Sequence, residues 1–264
     1  VFTASSSTIS ALTTAKEVHH LAISPLPPED FPNVEPRAVV VPETQLPYPV
    51  NYFISITAFS LPYIFPASSI PEILKECRRL LVSPLIPVSP TLPAIFNSYS
   101  RSKPSKPTPG GSLHLTIIDP APIQATIGPQ LRAWLDTYLM INLNRQFRCT
   151  LPSRLIPVWL ADIGLNGEGS TNIHVRFYAS VVNTIPPSGN SNSNSNNTKG
   201  DSFGNDEHIS LKMKSIVGRM LWKEVWGSFV LGKNWWWEDE NIIKECERLG
   251  TCWEYSVIEA FKGR

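Results

Sequence analysis

A short apolar segment near the middle of the chain constrains its fold more than any other feature. Residues 112–119, SLHLTIID, are almost continuously apolar or β-branched, and a Pro-Gly-Gly triplet stands directly before them. A strand with one face in water would alternate with polar residues, so this segment predicts a strand covered on both faces, as in a parallel sheet. Apolar residues at helical spacing flank it, at 69–82 and 128–147. The local order is therefore helix, strand, helix.

The rest of the chain repeats this alternation. Further strands are predicted at 52–60, 172–182 and 253–261, and further helices at about 209–231 and 239–249. Alternating strands and helices favour an α/β sheet with right-handed crossovers. We expect a single domain over residues 1–264.

Two segments without any helical or strand period interrupt this pattern. Residues 83–108 are rich in proline and serine, and residues 186–206 are a low-complexity tract of asparagine and serine. Such compositions do not bury enough apolar surface to form packed elements. We expect both segments to be insert loops.

Composition disfavours several classes of partner. The 23 basic and 22 acidic residues give a net charge of +1, which does not favour nucleic acid or an anionic membrane as a partner. No apolar run approaches the roughly 20 residues that a bilayer requires, and no secretory signal is evident, so we expect a cytoplasmic protein. The four cysteines, Cys77, Cys149, Cys246 and Cys252, are scattered, which predicts reduced thiols and no metal site.

Three elements, in order, carry a resemblance to a known family. They are LAISPLPPEDFPN at 21–33, PETQLPYPVNYFISI at 42–56, and the Pro-Gly-Gly turn with its strand at 109–119. Together with VGRMLWKEVWGSFV at 217–230, they resemble class I S-adenosylmethionine-dependent methyltransferases, in particular a type 11-like subgroup. The resemblance covers nearly the whole chain outside the two inserts.

The resemblance implies a fold, a reaction and a set of site residues. It implies a Rossmann-like sheet with flanking helices, S-adenosyl-L-methionine as the cofactor, and transfer of a methyl group to an acceptor that the sequence does not identify. By resemblance, Glu43 and Thr44 lie near the adenine edge, and Thr57 and Ala58 lie at a strand end that faces the cofactor. Asp119, at the tip of the following strand, is a candidate for orienting the substrate. The alternatives are that Glu43 and Thr44 are ordinary loop residues and that Asp119 caps its Asp-Pro turn.

Two departures from the family concern the cofactor. The first glycine of the chain is Gly110, so we expect the family's first strand and glycine-rich loop to lie outside this sequence. The acidic residue that ends the family's second strand is replaced by Ala22, which has no acceptor for the ribose hydroxyls. A second interpretation therefore stays open, in which the chain is a catalytically inactive scaffold whose aromatic helices at 209–237 bind another protein.

The segment 83–108 separates two elements that the family joins directly. It is either a genuine insert or a product of gene modelling. Transcript reads that join Val82 to Pro109 would support the second explanation, and peptides from within the segment would exclude it.

Three other features receive structural interpretations. His114 lies within the strand at 112–119 and is predicted to be a hydrogen-bonded core residue. Gly164, Gly167 and Gly169 follow a helix and precede a strand, the reverse of a phosphate-binding loop, so they predict a connection. The tryptophans at 235–237 are predicted to pack a late helix onto the sheet.

Overall fold

A computed structural model describes residues 18–22, 29, 34–38, 45–59, 61–84, 110–180 and 201–264, with the backbone alone described at 201–208. The strands are β1 (Val18–Ala22), β2 (Val34–Ala38), β3 (Ser55–Phe59), β4 (Ser112–Ile118), β5 (Thr171–Tyr178) and β6 (Cys252–Phe261). The α-helices are α1 (Leu61–Ile64), α2 (Ile70–Leu80), α3 (Pro129–Leu135), α4 (Ile141–Arg145), α5 (Pro152–Asp162), α6 (Asp201–Trp226) and α7 (Glu240–Leu249). A π-helical segment, Asp136–Met140, joins α3 to α4. The α/β fold class predicted from the sequence is confirmed.

The central sheet has four strands in the order β3-β4-β6-β5. β3 and β4 are parallel, whereas β6 is antiparallel to both of its neighbours, β4 and β5. The segment at 112–119 is the predicted interior strand, because β4 has a partner on each edge and most of its residues are buried. The sheet is mixed because the last strand of the chain enters between β4 and β5.

The Pro-Gly-Gly turn before β4 passes through a space that admits no side chain. A Cβ atom on Gly110 would lie 2.5 Å from the backbone oxygen of Lys262, and one on Gly111 would lie 2.9 Å from that of Ile54. The Gly111 N–H also donates to the Val82 carbonyl at 2.9 Å. Glycine is therefore needed at both positions by close backbone packing.

The far end of β4 is held by two indole groups. The carbonyl of Pro120 accepts hydrogen bonds from Trp222 Nε1 at 2.9 Å and from Trp253 Nε1 at 3.4 Å. Both indoles belong to the core on one face of the sheet. The Asp-Pro turn that ends the strand is thereby fixed to that core.

A separate hydrophobic cluster covers each face of the sheet. On one face, α2 and α5 pack over β4 and β6, with Leu74, Ile156 and Leu113 at the centre. The other face carries a cluster rich in tryptophan, where Trp236 stacks on Trp253 with ring centroids 5.1 Å apart. The predicted packing of the late tryptophans onto the sheet is confirmed by Trp236.

Helix α6 differs from its prediction in two ways. It begins at Asp201, within the segment expected to be an insert loop, and it ends at Trp226. The apolar stripe from Ile209 to Met220 points to solvent, and the opposite side, including Gly218 and Trp222, packs on the sheet. The apolar stripe therefore does not mark the buried side of this helix, because that side contains glycine and serine.

β1 and β2 form a separate parallel pair, with Ala22 opposite Ala38 at its end. The ring of His19 on β1 packs edge-on against Tyr48 and Phe53, which precede β3. β1 ends with Leu21 and Ala22, the first two residues of the segment at 21–33 that resembles the family's second-strand element, and most of the rest of that segment lies outside the described residues.

All four cysteines are free thiols and are buried. Burial raises the pKa of the Cys77 thiol to about 12 and that of Cys246 to about 11. Within the residues described, no helix is long and apolar enough to cross a membrane.

Candidate functional site

The carboxyl ends of β3 and β4 lie side by side at one edge of the sheet. β3 ends at Phe59, opposite Thr116, and β4 continues for two residues to Ile118. α1 follows β3 closely, and the Asp119-Pro120 turn follows β4. Open α/β sheets bind ligands at the carboxyl ends of parallel strands, so this edge is the candidate site.

The predicted cofactor residues of β3 point to opposite faces of the sheet. Thr57 is exposed and lies opposite His114, whereas Ala58 packs against the cluster beneath α2. Of these two side chains, Thr57 is the one that a ligand can reach. Glu43 and Thr44 lie outside the described residues.

Asp119 makes two hydrogen bonds at the start of α5. Its Oδ1 accepts from the Ser153 N–H at 2.9 Å, and its Oδ2 accepts from the Ser153 hydroxyl at 2.6 Å. Burial raises the pKa of Asp119 and outweighs the opposing effect of these hydrogen bonds. The carboxylate thus fixes the first turn of α5, and its role toward a substrate stays a prediction.

Three residues at the same edge were missed by the sequence analysis. The Tyr63 ring from α1 packs edge-on against Phe229, with centroids 5.5 Å apart. The Arg148 guanidinium lies over the same Phe229 ring, 5.3 Å from its centroid. Nothing in the sequence pairs these residues, because they are separated by more than 80 positions in each case.

The described residues fit the implied cofactor incompletely. The family's ribose acceptor belongs at the end of the second strand, where this chain has the Ala22 methyl group. The nearest carboxylate on that sheet, Glu35 on β2, contacts His19 Nδ1 at 3.1 Å and Arg37 at 3.5 Å. A ribose hydroxyl therefore finds no acceptor side chain at Ala22.

His114 is hydrogen-bonded as predicted, but it is not a core residue. Its Nε2 lies 2.9 Å from the Ser112 hydroxyl and 3.8 Å from a Glu259 oxygen, and its side chain is 38% exposed. That part of the sheet face is not covered by the tryptophan-rich cluster, which explains the exposure.

The glycines between α5 and β5 form a connection, as predicted. Gly164 accepts from the Gly263 N–H at 2.9 Å, and the Gly167 N–H donates to the Phe261 carbonyl at 2.9 Å. These bonds tie the loop to the end of β6. Among the side chains described, no group of three or more His, Cys, Asp or Glu could hold a metal ion.

No family model and no curated protein matches the chain. Among solved structures, it is similar to a protein assigned as a methyltransferase from Bacillus halodurans C-125, with 15% identity, a TM-score of 0.38, and coverage of 99% of this chain and 98% of the other. It is similar to the cyclase SpnF, with 12% identity, a TM-score of 0.42, and coverage of 97% and 70%. It is also similar to phosphoethanolamine N-methyltransferase 2 from Haemonchus contortus, solved with S-adenosylhomocysteine, with 9% identity, a TM-score of 0.38, and coverage of 89% and 39%. Methyltransferases are thus among the solved structures similar to this chain.

Proposed function

We propose that the chain transfers a methyl group from S-adenosyl-L-methionine to an acceptor bound at the carboxyl ends of β3 and β4. One observation carries the proposal. The elements that resemble the methyltransferase family, at 42–56 and 109–119, lead into two neighbouring parallel strands whose carboxyl ends share an edge. That edge is where a sheet of this class binds its ligands.

The reaction class suits the residues present. When bound, S-adenosyl-L-methionine supplies a methyl group that is already activated, so the protein mainly has to hold and align the acceptor. Thr57 offers an exposed hydroxyl at the end of β3, and Tyr63 and Arg148, which both pack on the buried Phe229 ring, offer aromatic surface and positive charge nearby. Glu43 and Thr44 are proposed to contact the adenine by resemblance, and a cytoplasmic location is proposed from composition.

The cofactor proposal is tested by calorimetric titration of S-adenosyl-L-methionine and its demethylated product. Both are titrated into this chain and into a form extended upstream by a first strand and a glycine-rich loop. We expect binding by the extended form. Binding by neither form would overturn the proposal and favour the inactive scaffold.

A substitution at the end of β1 sharpens this test. Ala22→Asp restores a ribose acceptor, and in the extended form we expect it to strengthen cofactor binding by about tenfold or more, the value of a hydrogen bond to a charged group. Ala38→Asp is the matched control, because Ala38 is the partner of Ala22 on β2. Equal effects of the two substitutions would contradict a ribose site at the end of β1.

A further inference from the structure

Arg148 has hydrogen-bond donors that the protein leaves unused. Its Nε and Nη1 are buried and have no hydrogen-bond partner. None of the ion pairs within the described residues includes Arg148. A guanidinium stays protonated in a protein, and a buried charged donor without a partner costs free energy. Most buried polar groups in native structures have a partner, so these two donors call for an explanation, and a bound anion is one.

The position of Arg148 is fixed by aromatic packing at the candidate site. The guanidinium lies over Phe229, whose carbonyl accepts a hydrogen bond from Asn142 Nδ2 at 2.9 Å. Tyr63, from the helix directly after β3, packs on the same Phe229 ring. Burial lowers the pKa of Arg148, and interaction with Tyr63 opposes this in part. The charge therefore lies in a partly desolvated position at the edge where a ligand binds.

The backbone before Arg148 closes the preceding helix, α4. Phe147 has a φ of 54°, in the left-handed region. The Arg148 N–H donates to the Leu143 carbonyl at 2.9 Å, and the Phe147 N–H donates to the Asn144 carbonyl at 3.1 Å. These two bonds are those of a Schellman motif, which accounts for the positive φ at Phe147. The Phe147 carbonyl also accepts from the Ala67 N–H at 2.8 Å, so the segment that carries Arg148 is tied to the residues before α2.

Arg78 has a similar unpartnered atom but a different location. Its Nε is buried without a partner, and it lies 3.4 Å from the Cβ position of Gly164. The Gly164 carbonyl accepts a hydrogen bond from the N–H of Gly263, which follows the end of β6. Because β6 is antiparallel to β4, this point lies at the amino end of β4. That is the edge opposite the candidate site. Arg148 is therefore the better candidate for contact with a ligand.

We propose that Arg148 binds an anionic group of the methyl acceptor, either a carboxylate or a phosphate. This inference rests on the proposed function. The guanidinium presents two bidentate edges, one formed by Nε and Nη2 and the other by Nη1 and Nη2, and either matches the paired oxygens of such a group. Trp226 Nε1 is also buried without a partner, and its ring centroid is 6.3 Å from that of Phe229, but the Trp226 ring is fully buried, so Arg148 is the donor proposed to meet the anion. The acceptor class is thus a small anionic molecule.

The test uses two probes that need no cofactor, inorganic phosphate and acetate. Thermal unfolding of the whole chain is followed while each probe replaces chloride at constant ionic strength, since a ligand of the folded state raises the midpoint. We expect at least one probe to stabilise the wild type, and Arg148→Met to weaken its apparent affinity by about tenfold or more. Arg145→Met is the matched control. Arg145 is exposed in the preceding helix, and its substitution by methionine removes the same charge.

A second measurement separates ligand binding from a structural role. Without probe, Arg148→Met should unfold no earlier than the wild type, because it removes donors that lack partners. Arg148→Lys keeps the charge and lacks the fork, so it should weaken probe binding without loss of folding. The proposal is supported whichever of the two probes binds the wild type more tightly. The probe that binds more tightly shows whether the anionic group is a phosphate or a carboxylate.

The proposal is overturned if neither probe stabilises the wild type, or if the Arg148 variants bind the probes as tightly as Arg145→Met. Failure of the proposed function would be seen separately, as absence of S-adenosyl-L-methionine binding in calorimetry while probe binding persists. Early unfolding of Arg148→Met together with unchanged probe binding by Arg148→Lys would also overturn it, by assigning Arg148 a structural role.

Discussion

Removal of residues 83–108, with Val82 joined to Pro109, should stabilise the protein. The structure shows why the join is possible. The Val82 carbonyl and the Gly111 N–H already form a hydrogen bond of 2.9 Å, although 28 residues, 83–110, lie between them. In the joined chain Val82, Pro109, Gly110 and Gly111 are consecutive, so this bond becomes the closing bond of a four-residue β-turn. Proline is favoured at the second position of such a turn and glycine is accepted at the third.

The size of the effect follows from loop closure. Loop closure costs about 0.6 kcal/mol for each doubling of the number of connecting residues, so shortening the connection from 28 residues to two, nearly four doublings, favours the folded state by about 2 kcal/mol. For a domain of this size that corresponds to a rise of about 4–8 °C in the unfolding midpoint. Urea and thermal unfolding of the joined and the full chains measure the difference directly.

A single substitution in the joined chain supplies the control. A Cβ atom on Gly110 would lie 2.5 Å from the Lys262 oxygen, so Gly110→Ala should remove about 1–3 kcal/mol of the stability of the joined form. The reasoning is refuted if joining Val82 to Pro109 leaves the free energy of unfolding unchanged or lowers it, because the removed segment would then contribute contacts that match or outweigh its entropy cost.

Three further predictions concern helix α6 and the end of β4. Gly218→Ala should cost about 1–3 kcal/mol, because its Cβ would overlap the Phe177 ring. Trp222→Ala should cost about 3–5 kcal/mol, whereas Met213→Ala on the exposed side of the same helix should change stability by less than about 0.5 kcal/mol. Because burial raises the pKa of Asp119, its contribution to stability is present at low pH and is lost as the pH rises through the raised value, so Asp119→Asn should gain stability relative to the wild type as the pH rises above about 4, the ordinary pKa of an aspartate.

Unfolding measurements test the predictions for α6 and for Asp119. Urea unfolding of the α6 variants is compared with Ser210→Ala, an exposed position on the same helix. Equal losses for Trp222→Ala and Met213→Ala would show that the assignment of the buried side of α6 is wrong. For Asp119, unfolding free energies are measured across the pH range, and a difference that does not vary with pH would contradict a raised pKa in the folded state.

The sequence by itself determined the type of most strands of the central sheet and of its longer helices, whereas β2 and α1 were not predicted. The period of apolar residues is a local property, so the strand at 112–119 and the helices at 69–82 and 239–249 were found close to their observed bounds. The glycines of the Pro-Gly-Gly turn were predicted to adopt backbone angles closed to other residues, but neither has a positive φ, and the reason for glycine there is the close approach of the Lys262 and Ile54 backbones. The resemblance to methyltransferases also needed no structure, because it rested on the order of motifs.

Only the tertiary structure decided which surfaces meet. The insertion of β6 between β4 and β5 joins residues more than 70 positions apart, and no local pattern records such a pairing. The stripe on α6 looks like a buried face in sequence, yet the sheet packs against Gly218 and the tryptophans on its other side. Arg148 and Phe229 meet for the same reason, because a contact between distant segments depends on how the elements pack and not on their own periodicity.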